Sequence, residues 1–277
     1  MSFEVHPVRA GEIDPTVTVL RAAGLGANVA RLLEFPLRDA CGEVLVARSG
    51  DEIVGGAAVA SFGATGWIGA LGVAAHARRR GAGTALTEGC VTHLRARGAQ
   101  TVLLYATAAG RPVYERVGFA PDGVAQAWRD LSPPRTRARG DGVRAIEHGD
   151  LPTVRALDAA ATGEDRGPVF AAMNGTLTGL VVERAGSVCG SALRSPWGLG
   201  PSVVATDREA GVALLSVLRR VPGAPLTVSL PDANAGAVRA LRAWGFQPIN
   251  AATRMRLGPP PAYDPARVFG LFNLFWG

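Results

Sequence analysis

Apolar and polar positions along the chain follow two rhythms. From Leu45 to Gly55 a β-branched strand, a turn at Gly50 and a second strand predict a hairpin. Ile68 to Ala74 is a short apolar run of strand type. Ala85, Leu86, Gly89, Cys90 and Leu94 then recur at helical spacing until Gly98 ends the helix. Every long apolar run is broken by Gly, Pro or charge before the roughly 20 residues that a membrane-spanning helix needs, so no membrane partner is expected.

The rhythm occurs twice. Pro15-Thr16-Val17 with Leu20, Ala22 and Ala23 matches Pro152-Thr153-Val154 with Leu157, Ala159 and Ala160 at identical spacing, and both stretches read as amphipathic helices with an early Pro. The hairpin around Gly50 has a counterpart in Val181 to Gly190, turning at Gly186. Trp67, Val73, Arg78, Gly81 and Gly83 are matched in register by Trp197, Val203, Arg208, Gly211 and Ala213. Gly118-Phe119 with Pro121 corresponds to Gly245-Phe246 with Pro248. Matches in the same order, with a slowly drifting offset, imply duplication. Ser132 to Gly142 holds Pro133-Pro134, Arg135, Arg137, Arg139 and two glycines, the composition of a linker. The expected organisation is a domain at 1–131, a linker at 132–142 and a second domain at 143–277.

Composition narrows the partners. A net charge of +6 could point to nucleic acid, but all 29 basic residues are Arg, spread along the chain, and aromatics make up only 6%, too few for a base-stacking surface. The absence of Lys beside abundant Ala, Gly and Val fits a GC-rich coding sequence. No nucleic-acid partner is expected. Cys41, Cys90 and Cys189 lack metal-ligand spacing and sit among small or apolar residues, so neither a metal nor a disulfide framework is expected. Met1 to Asp14 has no secretory pattern, which predicts a cytoplasmic protein.

The chemistry-bearing stretch runs from Trp67 to Thr107. After the strand come Arg78-Arg79-Arg80-Gly81-Ala82-Gly83-Thr84, then the helix. Amides at a helix start are unpaired and point outward. Glycines without Cβ let a diphosphate approach them, and guanidiniums add charge-assisted bonds. No Lys-Ser or Lys-Thr follows the last glycine, so this is not a Walker loop, and the three-glycine dinucleotide fingerprint is missing.

Arg78, Gly81 and Gly83 resemble the acetyl-CoA loop of the GNAT acetyltransferase superfamily: Arg or Gln, two residues, Gly, one residue, Gly or Ala. The resemblance continues through the strand at Thr101 to Ala106 and the helix closing with Tyr114, Gly118 and Phe119. It implies an α/β (α+β) fold, here in tandem, each copy with a mixed, mostly antiparallel central sheet flanked by helices. It also implies acetyl-CoA as co-substrate, without a metal. Its pantetheine arm would pair with the backbone of Leu71, Gly72 and Val73, and its diphosphate would lie on Arg78, Arg79, Arg80, Gly81, Ala82, Gly83 and Thr84. Tyr114 stands where the family carries its general acid, its alternative being a half-buried core tyrosine. Thr107 stands where many relatives have a cofactor-contacting Asn. The strand, Gly66 to Ala74, has no acidic residue to act as base. Glu34 and Asp39 are candidate substitutes working through water but read first as solvated loop charges, and His76 and His93, in a flexible-loop and a helix-surface setting, read as structural.

The expected activity is acetyl transfer to an amine of a small molecule. The apolar Leu32, Leu33, Phe35, Pro36 and Leu37 would roof the acceptor side. A non-catalytic acyl-CoA sensor and a protein N-acetyltransferase are the alternatives; a homodimer is compatible with all three. The second copy looks degenerate. Glu209 and Ala210 replace Arg79 and Arg80, Asp207 precedes Arg208, and Leu241 replaces Tyr114, although Asn234 restores the family Asn. That half resembles a C-terminal domain of certain bacterial acetyltransferases through Gly163, Asp165, Arg166, Gly200-Pro201, Arg254-Met255 and Phe269-Gly270. Asp165 and Arg166 read as substrate contacts or as an ion pair and cap. The apolar tail from Phe269 to Trp276 is expected to form a last strand or pack between domains.

Overall fold

The computed structural model describes residues 2–132, 142–173, 178–197, 200–221 and 225–277. The expected linker, 132–142, lies outside these except for its two ends. In chain order the first copy contains β1 (Glu4–Pro7), α1 (Ile13–Leu20), α2 (Val29–Arg38), β2 (Gly42–Ser49), β3 (Glu52–Phe62), β4 (Thr65–Val73), α3 (Ala82–Ala96), β5 (Thr101–Ala106), α4 (Arg111–Val117) and β6 (Ala120–Arg129). The second contains β7 (Val143–Ala145), α5 (Leu151–Thr162), α6 (Gly167–Ala172), β8 (Thr178–Arg184), β9 (Ser187–Arg194), β10 (Pro201–Ala205), α7 (Arg208–Leu218), β11 (Thr227–Pro231), α8 (Ala235–Ala243), β12 (Gln247–Leu257) and β13 (Val268–Gly270). Among the described residues no helix is long and apolar enough to cross a membrane.

The chain forms two units that are discontinuous in sequence. Unit 1 comprises residues 1–122, 253–260 and 274–276, and unit 2 comprises 123–252, 261–273 and 277. The duplicated sequence marks out halves at 1–131 and 143–277, but the units are cut differently because the strands that close each half are traded. Residues 253–257 of β12 pair with β5 in unit 1. Residues 125–129 of β6 pair with β11 in unit 2. Both strands carry alternating patterns that suit either partner strand, so their pairing is not encoded locally.

In unit 1 the strand order is β1-β2-β3-β4-β5-β12, antiparallel except for the parallel β4–β5 pair. Helix α3 covers one face with Leu86, Cys90 and Leu94 against Val59, Ile68, Val102 and Leu104. Helices α1 and α2 cover the other, burying Val17, Leu20, Val29 and Leu33 against Val44, Ala58 and Ala70. Fifteen residues of α3 at helical period present one continuous apolar stripe. The hairpin turn at Gly50 is as expected, with φ +61°.

In unit 2 an antiparallel sheet runs β13-β10-β9-β8-β7. Its core joins Leu214, Leu215, Val228, Leu241 and Phe269. The tail divides: Val268–Gly270 is the last strand, and Leu274 to Trp276 belong to unit 1. Arg166 is buried and paired bidentately with Asp158, with its guanidinium also over the Phe272 ring, while Asp165 accepts from the Gly167 amide. Both groups therefore take the structural of their two readings.

Candidate active site

The site begins where two strands part. β4 and β5 pair only over Thr65–Ile68 against Thr101–Leu104, although both continue beyond. Just past that point β4 bulges. Gly56 faces Gly72 and Ala58 faces Gly69, so Ala70 and Leu71 together oppose Ala57. Ala70 takes φ +49°, left-handed geometry that a side chain ordinarily avoids. Leu71 and Val73 pack toward α3. Gly72 is required by packing: a Cβ there would lie 2.9 Å from both Ala23 Cβ and Leu25 Cδ1 and 3.0 Å from Leu20 Cδ2.

The loop that follows is shaped by two residues in the left-handed region, Arg79 at φ +58° and Gly81 at φ +97°. Gly81 heads α3, and no side chain caps that helix. Arg78 is tied down, its Nε donating to the Val73 carbonyl at 3.0 Å and an Nη to the Ala23 carbonyl at 3.5 Å. Arg79 and Arg80 are exposed. Ala82 is wholly buried, Thr84 half-buried, and Gly83 has room for a Cβ, whose nearest neighbours would be Val113 Cγ1 at 3.6 Å and Val73 Cγ2 at 3.8 Å. Uncapped amides at a helix start, beside glycine and exposed guanidiniums, fit a diphosphate.

The Gly83–Val113 approach brings α4 beside the loop, and with it Tyr114 and Thr107. Tyr114 is 8% exposed and its ring packs edge-on to Phe119 with centroids 6.1 Å apart. Burial, then the nearby Cys90, holds its phenol above the usual tyrosine range. Thr107 is exposed, and its hydroxyl accepts from the Gly110 amide at 3.2 Å, so it helps start α4. Glu34 faces Arg38 on the outside of α2, and Asp39 accepts from the Cys41 amide, so both behave as surface charges. His76 lies 3.2 Å from Glu52 on the surface. His93 departs from the surface setting expected of it. It is half-buried, and burial, then Arg97, lowers its pKa.

The second copy keeps the letters of the loop without its shape. α7 starts at Arg208, so Gly211 lies within the helix, its amide donating to the Asp207 carbonyl. Asp207 caps α7 through the Ala210 amide at 2.9 Å, and that bond holds its carboxyl below the usual range. A Cβ on Gly211 would lie 2.4 Å from the Phe269 ring, so this glycine serves packing. Arg184 pairs with Asp207 and Glu209. Asn234, which matches the family residue in sequence, caps α8 through Ala237 and donates to the Ala266 and Val268 carbonyls. Its amide is fully engaged in holding the fold.

The model of the acetyltransferase (GNAT) family matches residues 21–119, and that of an acetyltransferase (GNAT) domain matches 154–270. The chain belongs to the GNAT acetyltransferase family. No curated protein matches it. Its fold is similar to that of a protein from Pyrococcus horikoshii described as an acetyltransferase, with TM-score 0.85 and 22% identity over 99% of this chain and 96% of that one. A GCN5-related N-acetyltransferase from Sphaerobacter thermophilus follows at 0.65 and 19%, covering 94% and 98%. A tandem GNAT protein from the clavulanic acid biosynthesis pathway gives 0.63 and 18%, covering 94% and 100%.

Two features of this GNAT site escape sequence reading: the bulge at Ala70 and the left-handed Arg79. Neither is a glycine, so no residue type announces them, and the only signal is the pair Gly69 and Gly72 around the bulge. Ala185, in the β8–β9 turn, is the other described non-glycine residue with positive φ. Backbone strain therefore gathers at the loop and the strand before it, as at functional sites generally.

Proposed function

We propose that unit 1 binds acetyl-CoA with its diphosphate on the amides of residues 81–84, and transfers the acetyl group to a primary amine of a small molecule. The observation that carries this reading is the contrast between two helix starts in one chain. α3 is uncapped, led by Gly81 and flanked by exposed Arg79 and Arg80; α7 carries its own carboxylate where a phosphate would sit. Arg78 then serves to hold the loop, and the cationic contribution falls to its two neighbours.

The backbone of Leu71 to Val73 lies along the opened edge of β4, in place for a pantetheine arm, and donors there would meet negative charge growing on the thioester oxygen. Bound acetyl-CoA supplies an activated acyl carbon for direct attack by the amine. Tyr114 stays protonated at neutral pH and can donate to the departing thiolate. Thr107, by accepting from the Gly110 amide, steadies the turn that leads into α4 and so helps to present Tyr114.

Calorimetry with acetyl-CoA tests the site: one molecule per chain, with affinity unchanged by Asp207→Ala. Binding at two sites, or none, defeats the reading. A sensor that binds without turnover draws support from the burial of Tyr114 and the lack of a carboxylate on β4. Thiol release upon adding primary amines separates the two.

A further inference from the structure

Residues 274–276 belong to unit 1, and their placement there concerns the side of the sheet away from α3. Gly69 is the first residue of β4 beyond its pairing with β5. A Cβ on Gly69 would lie 2.5 Å from Phe275 Cβ, 2.6 Å from its Cα and 2.7 Å from its carbonyl oxygen, so the tail backbone lies directly against the strand. The Phe275 side chain packs against the apolar cluster that includes Leu20, Val29, Leu33 and Ala70. Trp276 is 1% exposed, its ring centroid 5.4 Å from that of Phe35 on α2. On the same face, by strand alternation, Trp67 stacks on Tyr105 with centroids 5.4 Å apart. Arg254 lies over the Trp67 ring, and Asp122 is held between Arg254 and Arg256.

We infer that segment 274–276 closes the acceptor side of the site and that Phe275 is a specificity-determining residue, limiting the acceptor to a primary amine with a compact apolar body and shielding the thioester from water. This rests on the acetyl-CoA reading above. The wall is aromatic, and its carboxylate is already neutralised by two guanidiniums, so it offers little to a polycationic amine. With the tail displaced, water reaches the acyl carbon. Its oxygen bonds to that carbon as the carbon–sulfur bond breaks, and the departing thiolate takes up one proton from the water, giving coenzyme A thiol and acetic acid, which ionises to acetate and a proton released to solvent.

Two variants approach the contact from opposite sides. Phe275→Ala removes the ring; Gly69→Ala places a methyl where the tail backbone lies and forces it away. Hydrogen–deuterium exchange of the ligand-free proteins should be faster at residues 274–276 in Gly69→Ala, with melting lowered by the lost packing but still cooperative, and calorimetric affinity for acetyl-CoA near wild type, in both. Thiol release from acetyl-CoA without amine should rise several-fold in both, and the preference for 2-phenylethylamine over ethylamine should increase, while Phe275→Leu stays close to wild type. Unchanged exchange, or unchanged hydrolysis with acetyl-CoA still bound, overturns the proposal. Failure of the wild-type protein to bind acetyl-CoA overturns the underlying reading and this one with it.

Discussion

Gly83 separates the needs of the fold from those of the ligand. It is the second residue of α3, its φ is outside the left-handed region, and a Cβ would meet only ordinary contacts at 3.6 and 3.8 Å. Gly83→Ala should therefore stabilise the protein by about 0.4–1 kcal/mol, because alanine gives up less backbone freedom on folding. In a chain of this size that is a rise in Tm of roughly 2 °C. The same methyl stands where a phosphate oxygen would approach the amide. Losing one charge-assisted bond costs about 1.5–3 kcal/mol, a tenfold to hundredfold weaker Kd for acetyl-CoA. Gly83→Asp goes further: a carboxylate in the first turn favours the helix by about 0.3–1 kcal/mol. Yet it repels each phosphate charge at ~6 Å by about 3 kcal/mol at an effective dielectric of about 20, before screening. Melting temperature and affinity should thus move in opposite directions, which general unfolding cannot produce. Isothermal titration beside a thermal melt is the assay. Unchanged affinity in Gly83→Asp would refute the assignment of the diphosphate to this loop.

Tyr114→Phe should lower kcat by about a hundredfold, within the range for losing a general acid, with acetyl-CoA affinity nearly intact; equal rates remove that role. Asp207→Ala should cost about 1 kcal/mol through loss of the α7 cap, read as a lower urea midpoint, and leave acetyl-CoA binding unaltered. Asp158→Ala leaves Arg166 buried without its carboxylate and should cost about 3–5 kcal/mol; a melt within a degree of wild type would contradict this. Asp150, held by Arg144 and the Glu147 amide, and Glu12, held by the Arg9 amide and Arg48, have lowered pKa values. Their carboxylates contribute stability above the ordinary value of about 4 that is lost as pH falls through the lowered ones. Acid titration of the fold should show a plateau above about pH 5 and a decline below it, and a midpoint at higher pH would contradict it.

Local patterns determined much of this protein. The strand from Ile68 to Ala74, the helix through Leu86, Cys90 and Leu94, the Gly50 turn, the tandem repeat and the basic glycine loop all follow from residue types at short spacing, because period and turn chemistry act within a few residues. The same signals gave the second loop its resemblance to the first, and there they fell short. Whether Gly211 sits in a loop or in a helix depends on Asp207 capping α7 four residues earlier and on Phe269 filling the space above it. Phe269 is distant in sequence and reaches Gly211 only through the β10–β13 pairing. Tertiary structure alone also decided which strands β6 and the end of β12 pair with, how β4 bulges at Ala70, and where Phe275 comes to rest. Each of these depends on partners brought together from far along the chain, where alternation and propensity are the same for the right neighbour and the wrong one.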